Sequence, residues 1–261
     1  MSAMTNAFET AVLNVARGTT ATAPAGVYLG LFLSSPTETG VAGTEVSYTG
    51  YVRQQISFGS PTASGTTVSM SNSSQISFPI PDVSAGTVTF AAICDAASGG
   101  NVLVYKELTD PLVLTSEISP RFSIGELILT MTGGYMSNEF KQKVLNYLRG
   151  TSITGFSPYL ALYNSSPEDG GTELSGTNYA RLALTFGAPA EQTSGQMQIL
   201  NTNSVESGAA TSNWGSWTHS AIMTAATGGS VFYYYPNEAS YPMSNGAQVY
   251  VDAGTIGLSI N

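Results

Sequence analysis

The sequence predicts an all-β protein: two tandem β-sandwich modules of jelly-roll character, each opening on one short helix. Two observations lead there: a repeat running the length of the chain, and short strand-like segments broken by turn clusters. The repeat is the stronger. Met4, Asn6, Phe8, Val12, Leu13, Asn14, Arg17, Gly18 and Thr19 return 132 residues on as Met136, Asn138, Phe140, Val144, Leu145, Asn146, Arg149, Gly150 and Thr151. Thr44-Glu45-Val46-Ser47 and Tyr51-Val52-Arg53 return as Thr172-Glu173-Leu174-Ser175 and Tyr179-Ala180-Arg181, and Phe58-Gly59-Ser60-Pro61 as Phe186-Gly187-Ala188-Pro189. The offset drifts only to 128 (Phe58 to Phe186), so insertions between the copies are short and belong to turns. A period this long is a duplicated domain rather than a solenoid unit of about 20–50 residues. It divides the 261 residues into modules 1–133 and 134–261, each near the commonest domain size and large enough to bury its own core.

The helix of copy one follows from Phe8, Val12 and Val15, with Leu13 and Ala16, at helical spacing; Arg17 in the last turn suits the negative end of the dipole, and Gly18 suits the C′ position. Phe140, Val144, Leu145, Leu148, Arg149 and Gly150 repeat this in copy two. Strands are expected next at 27–33, 51–58, 67–70, 75–78, 87–94, 101–108, 112–114, 121–122 and 126–131, with Ser/Gly/Pro/Asn turns every 8 to 15 residues. Short strands at that spacing indicate a sandwich or barrel. Gly133-Gly134 ends the last strand of copy one, and Ser137 or Asn138 can cap the second helix. So short a junction holds the modules as a fixed pair with an internal pseudo-two-fold or pseudo-screw relation.

Composition narrows the function. Only 10% of residues are charged, against about 25% in ordinary soluble domains, so hydroxyls and amides must cover the surface. The net charge is −9, and four of the eight bases (Arg17, Lys141, Lys143, Arg149) fall in the helical stretches, leaving no basic patch for a nucleic acid. One Cys makes no intrachain disulfide. No apolar run approaches a membrane span and no export signal is visible.

Catalysis needs groups that exchange protons or act as nucleophiles beside a base, and these are scarce. The single His, His219, aligns with Phe90, and Cys94 with Met223, so the copies exchange these residues for inert ones; a half-buried strand position and a core position are expected for them. Glu45 with Arg53, and Glu173 with Arg181, recur eight residues apart with no other charge between them, which reads as a structural ion pair in each module rather than an acid pair for glycoside hydrolysis. The acidic turn Glu168-Asp169-Gly170-Gly171 lacks the spaced oxygens of a calcium loop, so neither catalytic residues, metal ligands nor a cofactor are expected. Trp214, Trp217, Tyr233 and Tyr235 are candidate contact aromatics. They suit a partner-protein interface or a sugar-stacking platform, and ordinary sheet filling accounts for them as well.

The ordered blocks YLGLFLSSPTETGVAGTEVSYTGYVRQQISFGSP, GTVTFAAICDAASGGNVLVYKEL and IGELILTM, with YLALYNSSPEDGGTELSGTNYARLALTFGAP and NWGSWTHSAIMTAATGGSVFYYY in copy two, resemble a family of tailed-bacteriophage virion proteins often labelled tail fibre proteins. That family's pattern has a T-E-V-S-G-x-G-Y-A-R-Q block, a W-G-T-V-T-H-x-G-I-F-D-A strand and an S-G-G-N turn. Copy two keeps Trp214, Gly215, Thr218 and His219; copy one keeps Asp95-Ala96 and Ser98-Gly99-Gly100-Asn101, with Ala85 at the Trp and Phe90 at the His. The resemblance implies a virion structural module, made in the host cytoplasm, that docks on other capsid or tail proteins and forms a homo-oligomer. The absence of heptads and of Gly-X-Y repeats favours a capsid decoration or cement protein; a tail fibre or baseplate component touching host surface glycans is the alternative.

Overall fold

The computed structural model describes residues 3–193 and 195–260. Copy one runs β1 (Ala3–Met4), α1 (Asn6–Leu13), β2 (Val27–Phe32), β3 (Gln54–Ile56), β4 (Thr62–Ser64), β5 (Thr67–Ser71), β6 (Ile76–Ser77), β7 (Gly86–Cys94), β8 (Val102–Leu114), β9 (Arg121–Phe122) and β10 (Ile128–Thr132). Copy two runs α2 (Asn138–Tyr147), β11 (Tyr159–Tyr163), β12 (Leu182–Ala183), β13 (Ala190–Glu191), β14 (Met197–Leu200), β15 (Val205–Glu206), β16 (Gly215–Met223), β17 (Val231–Met243), β18 (Tyr250–Val251) and β19 (Gly257–Ser259). Every strand pairing is antiparallel, and the chain is all-β apart from short helical segments. In copy one the sheets are β1-β8-β7-β2-β3, β10-β5-β4 and β6-β9; in copy two they are β12-β11-β16-β17, β13-β14-β19 and β15-β18.

The strand expectations fail in three informative places. Residues 51–53 stay out of the sheet, because the Tyr51 and Arg53 side chains are engaged elsewhere, and β3 starts at Gln54. The 101–108 and 112–114 segments form one strand, β8, carrying Pro111 inside an irregularity where Val88 pairs Leu112 but Phe90 pairs Glu107. Such a bulge lets a strand tolerate proline. Copy two has the same irregularity, Trp217 pairing Tyr241 and His219 pairing Pro236, so the bulge belongs to the module. The third is β4, which has three exposed residues and no apolar pattern to announce it.

Each helix crosses to the other copy. α1 lies against β14 and β19 of copy two as well as β8 of its own, while α2 lies against β4 and β5 of copy one as well as β17. The α1 cap residue Thr5 spends its hydroxyl on the Val102 carbonyl of β8 at 2.6 Å and makes no cap bond, whereas Ser137 caps α2 by accepting from the Phe140 N–H at 3.2 Å. Gly18 and Gly150 end the helical segments in left-handed conformations at φ 82° and 90°. The arginines that follow the dipole in sequence do more than meet it. Arg17 Nε donates to the Phe186 carbonyl at 3.3 Å, and Arg149 Nε donates to the Phe58 carbonyl at 3.2 Å, each reaching the partner copy's Phe-Gly-x-Pro turn.

Equivalent residues also meet each other. Ala21 and Ile153, 132 apart, exchange both backbone hydrogen bonds at 2.9 Å as an antiparallel bridge, the arrangement a local two-fold axis produces. Around it Ala23 N–H donates to Ser152 Oγ and Gly155 N–H donates to Thr20 Oγ1, at 3.0 and 3.2 Å. The largest apolar cluster accordingly contains both helices and both copies' strands, from Phe8, Leu29 and Met70 to Phe140, Ile199 and Leu258. This corrects the expectation that each module buries a core of its own: the boundary near Gly133-Gly134 divides the chain, but the main core is shared.

Two buried charges mark the exchange. Glu9 and Lys141 are equivalent positions on α1 and α2, each 2% exposed. Glu9 Oε2 accepts from the Met197 N–H at 2.8 Å, while Lys141 Nζ donates to the Thr66 carbonyl at 2.7 Å. Burial pushes the Glu9 carboxyl up to about 7; the Met197 N–H opposes this and nearby Glu38 adds to it. A carboxyl whose folded value is raised stabilises the fold fully below its unfolded value, and that contribution is lost as pH rises through about 7. Glu9→Gln keeps the acceptor and removes the charge. Its thermal midpoint relative to the parent protein is therefore expected to improve steadily from pH 5 to pH 8, as read by thermal unfolding across that range. A constant difference would show that Glu9 carries no such linkage.

Candidate functional site

The residues singled out by the repeat form two copies of one clamp. Glu45 accepts from Arg53 Nε and Nη2, both at 2.8 Å, and from the Tyr51 hydroxyl at 2.9 Å; that hydroxyl accepts in turn from the Leu31 N–H of β2 at 2.9 Å. Arg53 Nη1 then donates to the Ala96 and Gly99 carbonyls at 3.0 and 2.7 Å, fastening the turn between β7 and β8. In copy two Glu173 accepts from Arg181 Nε at 2.8 Å, Nη2 at 2.7 Å and the Tyr179 hydroxyl at 2.8 Å. Tyr179 accepts from Leu162 N–H at 3.1 Å, and Arg181 Nη1 holds the Ala225 and Gly228 carbonyls at 2.7 and 2.6 Å. Bidentate pairing of this kind is the strong form of the interaction. Hydrogen bonding to Glu45 and Glu173 raises the pKa values of both arginines further, and burial raises those of Tyr51 and Tyr179. The clamp presents no nucleophile and no poised base.

A second repeated device was missed in the sequence, although it lies within the repeat. Buried Asn72 donates through Nδ2 to the Ser74 and Ser123 carbonyls and accepts at Oδ1 from Leu127 N–H; Asn201 does the same with Asn203, Asp252 and Ile256. Each ties the loop before β10 or β19 to the strand beside it, satisfying backbone groups that burial would otherwise leave unpaired.

The chemically able groups lie elsewhere and apart. Cys94 is fully buried and burial pushes its thiol up to about 12, so it acts as a core residue. His219 Nδ1 lies 3.0 Å from the hydroxyl of its neighbour Thr218, with Tyr163 and Pro236 as strand partners. Among the described residues no group of three or more His, Cys, Asp or Glu side chains is disposed to hold a metal, and no helix is long and apolar enough to cross a membrane.

The four candidate contact aromatics separate. Trp214 is buried, its Nε1 donating to the Thr177 carbonyl at 2.9 Å and its ring edge-on to Tyr179. Tyr233 is buried with its hydroxyl on the Ser259 carbonyl at 3.1 Å. Trp214 precedes β16 and turns into the core, while Tyr233 reaches across to β19 and borders a cleft at the junction. Tyr235 is half-buried against the shared core, and Trp217 is half-buried beside Tyr241, which is 45% exposed. A cleft of about 350 Å³ follows β8 in copy one, with Ile93, Val104 and Leu129 in its floor. Another of about 300 Å³ lies at the junction, lined by Met131 to Met136, Lys141 and Tyr233.

The fold and these paired clamps define a duplicated all-β structural module whose retained polar residues hold strands and turns together. A protein-family model described as Podophage GP4 fiber I protein gp80 matches the chain twice, over residues 3–130 and 135–259. The chain belongs to that family, a family of phage fibre proteins and so of virion components. No curated protein matches it. The family's description favours the fibre alternative and gives no support to the expected capsid decoration or cement role. This chain builds its modules from short antiparallel strands, an architecture that needs neither heptads nor Gly-X-Y repeats.

Removing one partner of a buried pair leaves the other charge and its hydrogen bonds unsatisfied. Arg53→Met is expected to cost about 2–3 kcal/mol in denaturant unfolding, because Glu45 keeps some solvent contact, and Arg181→Met is expected to cost a similar amount. A loss below about 0.5 kcal/mol in both would mean that the clamps recur for another reason.

Proposed function

We propose that the chain is a non-enzymatic building block of a tail fibre, assembled in the host cytoplasm and docked on other proteins of the phage virion. The observation that carries this reading is what the duplication kept. Both copies retain Glu, Tyr, Arg and Asn in the same strand-bracing contacts, while Cys94 and His219 have no counterpart in the other copy. A module selected to carry load and present a surface keeps the bracing.

The surface suits stable association. With 10% charged residues and abundant hydroxyls and amides it desolvates at less cost than an ordinary one, and little of such a contact is ionic. Virions washed in about 1 M NaCl are expected to retain the protein, and antibody labelling in electron micrographs is expected to fall on tail fibres. Loss of the protein from washed particles, or labelling spread over the capsid shell, would overturn this reading.

A further inference from the structure

The second helix buries a cation without a counter-charge. Lys141 is 2% exposed, and among the described residues its Nζ makes one hydrogen bond, to the Thr66 carbonyl at 2.7 Å, although an ammonium has three N–H donors. It joins no ion pair among those residues, whereas the exposed Lys143 of the same helix pairs with Glu139 at 2.9 Å. Glu168 supports the charge from a distance, but its Oε1 accepts from the Asn138 N–H at 3.1 Å. Lys141 also stands in the N-terminal half of α2, toward the end where the helix dipole disfavours a cation. Burial pulls its pKa below the ordinary lysine value. A buried charge left unpaired is costly. At the sister position Glu9 meets that cost by taking up a proton and becoming neutral.

The same side chain borders the cavity of about 300 Å³ at the junction of the copies. The other walls are largely apolar: Met131, Met136, Ile260 and the rings of Tyr135 and Tyr233. Tyr135, 48% exposed, packs on Tyr233 with ring centroids 6.0 Å apart. The Tyr233 hydroxyl is engaged by the Ser259 carbonyl at 3.1 Å, so Lys141 and the Gln196 amide are the polar side chains left to meet a ligand. A mostly apolar chamber with a few convergent polar groups is the usual composition of a small-molecule site. Here the charged group is one that the protein itself leaves unanswered.

We propose that this cavity binds a small organic acid, whose carboxylate pairs with Lys141 and whose apolar body lies against the methionine and tyrosine walls. An ammonium and an amide N–H together serve the two oxygens of a carboxylate, and a charge-assisted bond inside an apolar chamber is the strong kind. The volume stands at the lower end of the range for ligand pockets, roughly 300–1,000 Å³, which fits an acid of one ring or a short chain. A chain carrying −9 has no general attraction for anions, so an acid that binds does so through a local cation. In copy one the equivalent residue is Glu9, which would repel a carboxylate, so the site belongs to the second helix alone.

Calorimetric titration of the full chain with phenylacetate tests this, with uncharged phenylethanol and inorganic phosphate as companion probes. Phenylacetate is expected to bind at a single site per chain, at least about tenfold more tightly than phenylethanol, because only the acid pairs with Lys141. It is also expected to outbind phosphate, which has no apolar body. Lys141→Met is expected to erase the preference for the acid, and Lys143→Met, outside the cavity, to leave it intact. Because Lys141→Met also strips the Thr66 carbonyl of its donor, Tyr135→Ala serves as a second variant. With Lys141 in place, it is expected to weaken phenylacetate at least about threefold through the lost ring contact. No binding at about 10 mM phenylacetate, equal affinity for the alcohol, or an acid preference that survives in folded Lys141→Met overturns the proposal. An acetylated apolar dipeptide that outbinds phenylacetate would assign the site to a protein chain end and overturn the small acid. None of these outcomes bears on whether the protein sits in a tail fibre, which the virion experiments decide separately.

Discussion

The structure depends on the exchange of helices across the internal two-fold. Ala21 and Ile153 bond to each other on the axis, Arg17 and Arg149 reach the opposite Phe-Gly-x-Pro turns, and α1 and α2 complete apolar cores begun by the other copy. Phe8 and Phe140, both 1% exposed, belong to one apolar cluster drawn from both copies, and the Phe8 ring packs on Tyr147 of the opposite helix. The duplication has therefore produced the internal counterpart of a swapped dimer, in which the covalent link at Gly133-Gly134 makes permanent a contact that two free chains would have had to find by association.

That constraint explains which residues the copies still share. The Glu-Tyr-Arg clamp fixes the β7–β8 and β16–β17 turns, and Asn72 and Asn201 fix the loops that deliver β10 and β19, so each sheet presents a fixed surface to the incoming helix. Positions outside this frame were free to diverge. Glu9 and Lys141 show how far: opposite charges at one helical site each find a backbone partner across the seam, one an N–H and the other a carbonyl. The strands flanking the copy-one cleft show the same freedom on the surface, where Lys106, Glu107, Asp110, Arg121 and Glu126 correspond to uncharged residues in the sister copy.

Much of this was legible in the sequence because a long repeat doubles every local signal. The helix starts, most of the strand segments, and the recurrence of Glu45 with Arg53 and Glu173 with Arg181 all stand out by comparing the chain with itself; the order of strands in the sheets does not. The exchange of helices was not legible: a constant offset of 132 is the same whether a helix folds back on its own strands or crosses over. Burial of Trp214 and Tyr233 escaped for a related reason. Strand periodicity says which side of a sheet a ring occupies, but both sides of β17 near Tyr233 and Tyr234 are covered, and Trp214 lies outside the regular strand. Pro111 read as a gap between strands because the bulge that accommodates it has no sequence mark of its own.

Calorimetry of the intact chain tests the shared core most directly. If the exchanged helices bind the copies into one cooperative unit, unfolding is a single transition whose calorimetric and van't Hoff enthalpies agree. At about 0.7 kcal/mol per residue near 60 °C, that common enthalpy is about 180 kcal/mol for the whole chain. Two resolved transitions, or a van't Hoff enthalpy near about 90 kcal/mol, would show modules that fold separately and would contradict the account.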